Sequence, residues 1–388
     1  MVETTDATSL PKSSTICSHH IIVFTRFPEP GKTKTRLIPA LGAEGAARVQ
    51  TQMTEHTLAT IQAFKRTQHS SHNAVSVDVR FAGGTAARMQ QWLGLQWAYT
   101  PQGEGDLGDR LLRAFDDAFE RGARFVLAIG IDCPDITVDS LTEAFHHLAS
   151  AELVIGPADD GGYYLIGLSK LVPDCFHSIA WGTDTVCQTT LDIAAQLNLT
   201  VEKLQVLSDV DRPDDLPIWE RALATSPLHT DYGLSILIPT LNEGQRIGKL
   251  LDSLVSHQGK ASTATEIIVV DGGSTDDTLT TACSYPVHVI RSEPGRARQM
   301  NTAAQKARGK ILLFLHADTM LPKELYAPIA ETLAQPNVVA GAFELAIQGQ
   351  NPALRVVEWG VRWRSHLFQL PYGDQGLFMT REVFESIG

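Results

Sequence analysis

Glu243, Asp271 and Asp318 each follow a short apolar run: LSILIPTLNE (234–243), EIIVVDGGSTDDT (266–278) and KILLFL with His316-Ala317-Asp318 behind it (310–318). A strand that ends in acidic residues and then opens toward a helix sets those residues at the carboxyl edge of an open sheet, where the ligand crevice lies. Three such strand ends together could bind a nucleotide and a hard cation held by oxygen. Taken singly, Asp271 and Asp276 also read as turn and capping residues, because D-G-G-S-T-D is good turn chemistry. Arg296 and Arg298 follow Pro294-Gly295 at the start of a predicted helix, where backbone N–H groups and guanidinium forks can both meet phosphate. A solvated helix end accounts for them equally well.

In the first half, the loop Thr25–Leu37 gathers Arg26, Lys32, Lys34 and Arg36 around Pro28, Pro30 and Gly31. A basic, glycine-containing loop that feeds a helix can cradle phosphates, although it lacks the G-x-x-x-x-G-K-[ST] spacing of a Walker A loop. FVLAIGIDCPD (125–135) is an apolar strand ending in Asp132 and Asp135, and GPADDGGYYLIG (156–167) sets Asp159 and Asp160 before two glycines. A tight turn between strands explains the second pattern nearly as well as ligand contact does. Asp209 and Asp211 precede Arg212-Pro213, where a helix N-terminus alone would favour acidic groups.

The elements that must position these residues alternate strand with helix. Apolar strands fall at 21–24, 74–81, 125–129, 153–155 and 164–168, with helical patterns at about 43–65, 108–121 and 138–150, which implies a mostly parallel, doubly wound sheet. ALATSPLHTDY, between Arg221 and Gly233, is the best linker. A second strand–helix series follows, with helices at about 245–256 and 295–308. The fold type repeats without a close repeat of sequence. The expected organisation is a flexible extension at 1–19, a first domain at 20–222, a linker at 223–233 and a second domain at 234–388.

At 388 residues the chain is long enough for two domains. Its net charge of −12 argues against a sequence-independent grip on nucleic acid. No apolar run approaches the roughly 20 residues needed to span a bilayer, and the Ser/Thr-rich start is no secretory signal. Five cysteines, odd in number and without a C-x-x-C pair, fit a reduced cytoplasm. Cys17, His19 and His20 read as a solvated tail. Trp359 and Trp363, with Arg362 and Arg364, sit at helical spacing in VVEWGVRWRSHLF (356–368). Ordinary packing explains them, and peripheral contact with an apolar acceptor or a membrane surface is the alternative.

DGGSTDDT, EPGRARQMN, LFLHADT and PYGDQGLF together resemble the family 2 glycosyltransferases, and more narrowly the transferases of the arsenosugar-biosynthesis (selenodomain-associated) group, over residues 234–388. The resemblance implies a GT-A fold that binds a nucleotide-sugar with Mg²⁺ or Mn²⁺. Asp318 would be the metal ligand, although the usual D-x-D is here His316-Ala317-Asp318. Pro239, Glu243, Asp271, Arg296 and Arg298 would serve the nucleotide and donor, while Asp374 and Gln375 would act at the donor sugar and acceptor. It also implies a further segment with an acidic pair, the source of an inverting base; that segment would lie beyond Gly388, so a C-terminally truncated domain is expected.

The basic loop, FVLAIGIDCPD, GPADDGGYYLIG, WGTD (181–184) and DVDRP (209–213) resemble the DUF2064 family of GT-A-type transferases over about residues 20–220. By that resemblance Asp132 and Asp211 would hold metal, Arg26, Lys32 and Arg36 would face phosphates, and Asp159 and Asp160 would contact the sugar or acceptor. The fold expected is α/β, two Rossmann-like GT-A domains of the nucleotide-diphospho-sugar transferase type in tandem. The function expected is sugar transfer from a nucleotide-sugar to a small-molecule or lipid-like acceptor. Two alternatives stay open: a first domain that joins a nucleoside triphosphate to a phosphorylated molecule with release of pyrophosphate, or a domain that only binds nucleotide.

Overall fold

The computed structural model describes residues 18–70, 74–229, 232–258, 264–322, 324–344, 346, 358–359 and 376–387. Cα packing divides it into two units, one running to Ala86 and from Ala98 to Thr225, the other comprising Ala87–Trp97 and the chain from Ser226 on. The expected extension at 1–19 lies mostly outside the described residues, but its last residue, His19, opens the first strand. The neighbouring His20 is 3% exposed and hydrogen-bonds Ser76 Oγ through Nδ1 at 2.8 Å, so it is a core residue and not part of a solvated tail.

The first unit holds strands β1 (His19–Arg26), β2 (Val75–Ala82), β3 (Ala98–Pro101), β4 (Phe125–Ile129), β5 (Leu153–Pro157), β6 (Tyr163–Leu168) and β7 (Val201–Lys203), in the sheet order β3-β2-β1-β4-β6-β5-β7. The second holds β8 (Leu234–Thr240), β9 (Thr265–Asp271), β10 (His288–Arg291), β11 (Ile311–Phe314), β12 (Ala340–Ala342) and β13 (Leu377–Thr380), in the order β10-β9-β8-β11-β13-β12. Counted within each unit, both sheets run third, second, first, fourth, sixth, fifth over six strands, and the first adds a seventh beside the fifth. In both, the sixth strand is antiparallel to the fourth and the first four are parallel. The sequence repeat is faint, yet the topology is repeated strand for strand.

Parallel strands covered on both faces must be apolar throughout, and this is why Ile21, Ile22 and Val23 on β1 are all fully buried. On β8 the period of two sorts side chains to opposite layers. Ile236 and Ile238 pack with Ile247, Leu250 and Leu251 of the helix Gly244–Gln258, while Leu237 packs with Ala303 and Ala304 of the helix Arg296–Lys306. Fully burying each such side chain is worth about 1.5–3 kcal/mol, so the sheet edge is carried on a rigid platform. In the first unit the helix Leu107–Glu120 is fixed at its start by a capping box between Asp106 and Asp109, and its Arg110 stands near the ends of β1 and β2. The long helix Ile38–Ser70 starts earlier than its apolar periodicity predicts and is broken at Gly42, whose φ of 70° favours glycine. Among the described residues no helix is long and apolar enough to cross a membrane.

Candidate functional site

In the second unit the loops after β8 and β9 are laced together by side chains. Asp271, 1% exposed in its side chain, accepts from the backbone N–H groups of Gly273 and Ser274 at 3.1 Å, and Arg291 Nε stands 3.5 Å from it. Asn242 Oδ1 accepts from Thr275 N at 2.8 Å, and Asp276 Oδ2 from Gly244 N at 3.0 Å. Hydrogen bonds from Thr278 and Gly244 hold the Asp276 carboxyl below the usual carboxylate range. Glu243 receives Arg246 Nη1 at 3.0 Å, and its N–H donates to Thr278 Oγ1 at 2.7 Å. Thus Asp271 and Asp276 organise the two loops, as their turn chemistry suggested, at the edge where Glu243 stands. Pro239 lies on β8, one residue before Thr240.

Beneath these loops is a residue the sequence reading passed over. Gln299 is 3% exposed, and its amide donates to the carbonyls of Thr240 and Val270, both at 2.8 Å, tying the end of β8 to that of β9. It lies against Gly272, where a Cβ would come within 3.0 Å of the amide. A glutamine inside a polar helix gives no periodic signal; only the facing glycine pair after β9 hints at a close approach. Arg296 and Arg298 are exposed on the first turn of the same helix, and Arg298 pairs with Glu293. Asp318 is exposed in the turn after β11. Asp374 and Gln375 lie outside the described residues, as does most of 356–368; Trp359 is 61% exposed.

In the first unit a cavity of about 500 Å³ is walled by Arg26, Lys32, Lys34, Arg36, Arg110, Asp132 and Asp211, with Gln50 and Gln102 in its lining. Gln102, 9% exposed, donates to the carbonyls of Thr25 (2.9 Å) and Arg80 (3.1 Å). Arg80 in turn is buried between Asp78 and Asp117, 2.7 Å from each. Lys32 pairs with Glu29 at 2.8 Å, and Arg36 Nη1 with Asp211 Oδ2 at 2.7 Å. Lys34, which the resemblance had not singled out, is 4% exposed in its side chain and bonds Asp132 Oδ1 (2.6 Å), the Val210 carbonyl (2.6 Å) and Asp211 Oδ1 (3.3 Å). Burial disfavours its charge, but the two carboxylates outweigh it and hold the ammonium above the ordinary lysine range.

Asp159 and Asp160 stand exposed in the turn between β5 and β6, and Asp160 Oδ1 accepts from Gly162 N at 2.8 Å in an Asx turn. Gly161 closes against the backbone of Asp184, which brings the D-D-G-G and W-G-T-D segments together. Burial, reinforced by Asp160, Asp211 and Asp159, pushes the Asp209 carboxyl up to about 6.

The two sites agree in register. Thr25 pairs with Phe81 and Thr240 with Asp271; Gln102 N donates to the Phe81 carbonyl and Ser292 N to that of Asp271. Three residues before these threonines, Ile22 pairs with Ala128 and Leu237 with Phe314. Asp132 and Asp318 each follow that fourth-strand partner by four residues, so they hold the same place in the fold. Among the described residues no three His, Cys, Asp or Glu side chains converge on a metal position in either unit.

Residues 65–183 match the family model described as "Uncharacterized protein conserved in bacteria (DUF2064)", and residues 235–381 that described as "Glycosyl transferase family 2". A PGL/p-HBAD biosynthesis glycosyltransferase of Mycobacterium bovis BCG is 33% identical over 167 residues, 40% of this chain and 61% of that protein. A glucosyl-3-phosphoglycerate synthase of Mycolicibacterium paratuberculosis is 29% identical over 104 residues, 24% of this chain and 31% of that one. The chain thus spans about a third of the length of the first curated relatives it matches. A crystal structure of a putative nucleotide-diphospho-sugar transferase from Desulfovibrio desulfuricans G20 is 32% identical, covering 53% of this chain and 87% of that one with a TM-score of 0.49. Both units have the GT-A type of sheet, and the chain is a fusion of a DUF2064 domain with a family 2 glycosyltransferase domain.

Proposed function

We propose that the second unit transfers a sugar from a nucleotide-sugar to a small-molecule or lipid-like acceptor, and that the chain works in the cytoplasm. The observation that carries this reading is the adjacency of β9, β8 and β11, whose carboxyl ends bring Asp271, Glu243 and Asp318 to one edge within the span of the family 2 match. Asp271 shapes the loop on which the nucleoside rests, and Gln299 keeps the two strand ends from parting. The acceptor attacks the anomeric carbon as the bond to the diphosphate breaks, through an oxocarbenium-like transition state. Arg296 and Arg298 supply positive charge to the departing diphosphate from the start of their helix. Asp374 and Gln375 orient the acceptor. Cys133, Cys175 and Cys187 are buried free thiols, in keeping with a reducing compartment.

A single exposed carboxylate such as Asp318 fits an ion that arrives with its substrate, because Mg²⁺ is usually bound by one or two carboxylates plus phosphate oxygens and water. When bound there, Mg²⁺ or Mn²⁺ would neutralise charge on the leaving diphosphate. The test is calorimetric titration of the full chain with uridine, guanosine and thymidine diphosphate sugars, with and without Mn²⁺. One donor should bind only with metal present, and Asp318→Ala should abolish that binding. Binding that ignores both metal and Asp318 would refute the reading. For the first unit, the full engagement of Asp211 by Lys34 and Arg36 favours a nucleotide-binding module over a second metal-dependent transferase.

A further inference from the structure

We infer that Lys34 is a built-in cation: its ammonium takes, in the first unit, the place proposed for a divalent ion beside Asp318 in the second. Asp132 and Asp318 share one position in the fold, four residues past equivalent fourth-strand residues. Asp318 is exposed, whereas Asp132 receives Lys34 at 2.6 Å. An ammonium has three N–H donors, and those of Lys34 have three acceptors: Asp132 Oδ1, the Val210 carbonyl and Asp211 Oδ1. Arg36 takes the other oxygen of Asp211. Hard divalent ions need oxygen ligands, and here both Asp211 oxygens and one of the two Asp132 oxygens are already committed. The chain accepts a left-handed backbone at Lys34, φ 46° and ψ 45°, a conformation uncommon outside glycine and asparagine. The Lys34 side chain is buried, while that of Lys32 two residues earlier is 69% exposed and pairs with Glu29 at the cavity wall.

A phosphate-bearing ligand entering the cavity therefore meets Arg26, Lys32 and Arg110 directly, while Lys34 and Arg36 already balance the acidic pair. The inference concerns the first unit and does not depend on whether the second is a transferase. It is tested by counting Mn²⁺ sites on the full chain by electron paramagnetic resonance. Asp132→Asn should leave the count unchanged, and Lys34→Met, which keeps the aliphatic stem, should add one site that Asp132→Asn then removes. Loss of a site in Asp132→Asn alone, or no gain in a folded Lys34→Met chain, would overturn the inference; the first readout stands even if the lysine variant does not fold. Asp318→Ala in the same series reports separately on the second unit.

Discussion

Asp318 and Asp132 are one residue in two settings, and the difference lies in what faces each. Replacing Asp318 with Ala should cost roughly 10²-fold or more in turnover, the order seen when one preorganised charge-stabilising group is lost, with little change in melting temperature, since the side chain is exposed. Asp209 should report through pH. Its carboxyl is raised to about 6 in the fold, so between the ordinary Asp value and 6 the folded chain binds more protons than the unfolded one. Stability from this group therefore falls as pH rises through that window. Asp209→Asn should raise the melting temperature at pH 7.5 and have a much smaller effect at pH 4.5, as scanning calorimetry would record.

The strand ends were legible because an apolar run stopped by an acid is a one-dimensional pattern: β4, β8, β9 and β11 fall where the runs FVLAI, LSILIP, EIIVV and KILLF stand. Shorter or more polar elements, such as β3, β10 and the helix Ala86–Leu93, leave no such trace. Gln102 and Gln299 were silent for a different reason. Their role depends on two carbonyls at strand ends far away in sequence, and only register brings them together. The same device thus arises twice, once from the loop after the third strand and once from a helix. Gln299→Ala should remove one of the donors on each of two buried carbonyls, which keep Gly272 N–H and Thr240 Oγ1, and cost about 0.5–1.5 kcal/mol per lost bond in urea unfolding. Arg80→Met, which strands Asp78, should cost about 3–5 kcal/mol. Retention of full stability in either variant would show that the strand ends are held by other means.

Across the whole molecule, histidines whose charged form the fold disfavours, the buried His20 and the half-buried His288, set the acid limit. Burial, aided by Arg121 and Arg80, lowers His20 to about 3, and burial lowers His288 to about 4 despite Glu266 nearby. Both are neutral in the fold while the unfolded chain protonates below 6.5, so stability is fully present above that pH and is lost as pH falls toward 4. His20→Gln with His288→Gln should flatten the stability curve between pH 6.5 and 4. The repeated strand order accounts for two units of one fold type in a single chain, and the occupants of the shared aspartate place account for why their chemistry should differ. The most direct measurement is release of nucleoside diphosphate from a panel of nucleotide-sugars by the full chain with Mn²⁺, comparing the native sequence with Asp318→Ala and Asp132→Asn. The account predicts metal-dependent turnover of one donor that Asp318→Ala abolishes and Asp132→Asn spares. Turnover lost with Asp132 and kept without Asp318 would contradict it.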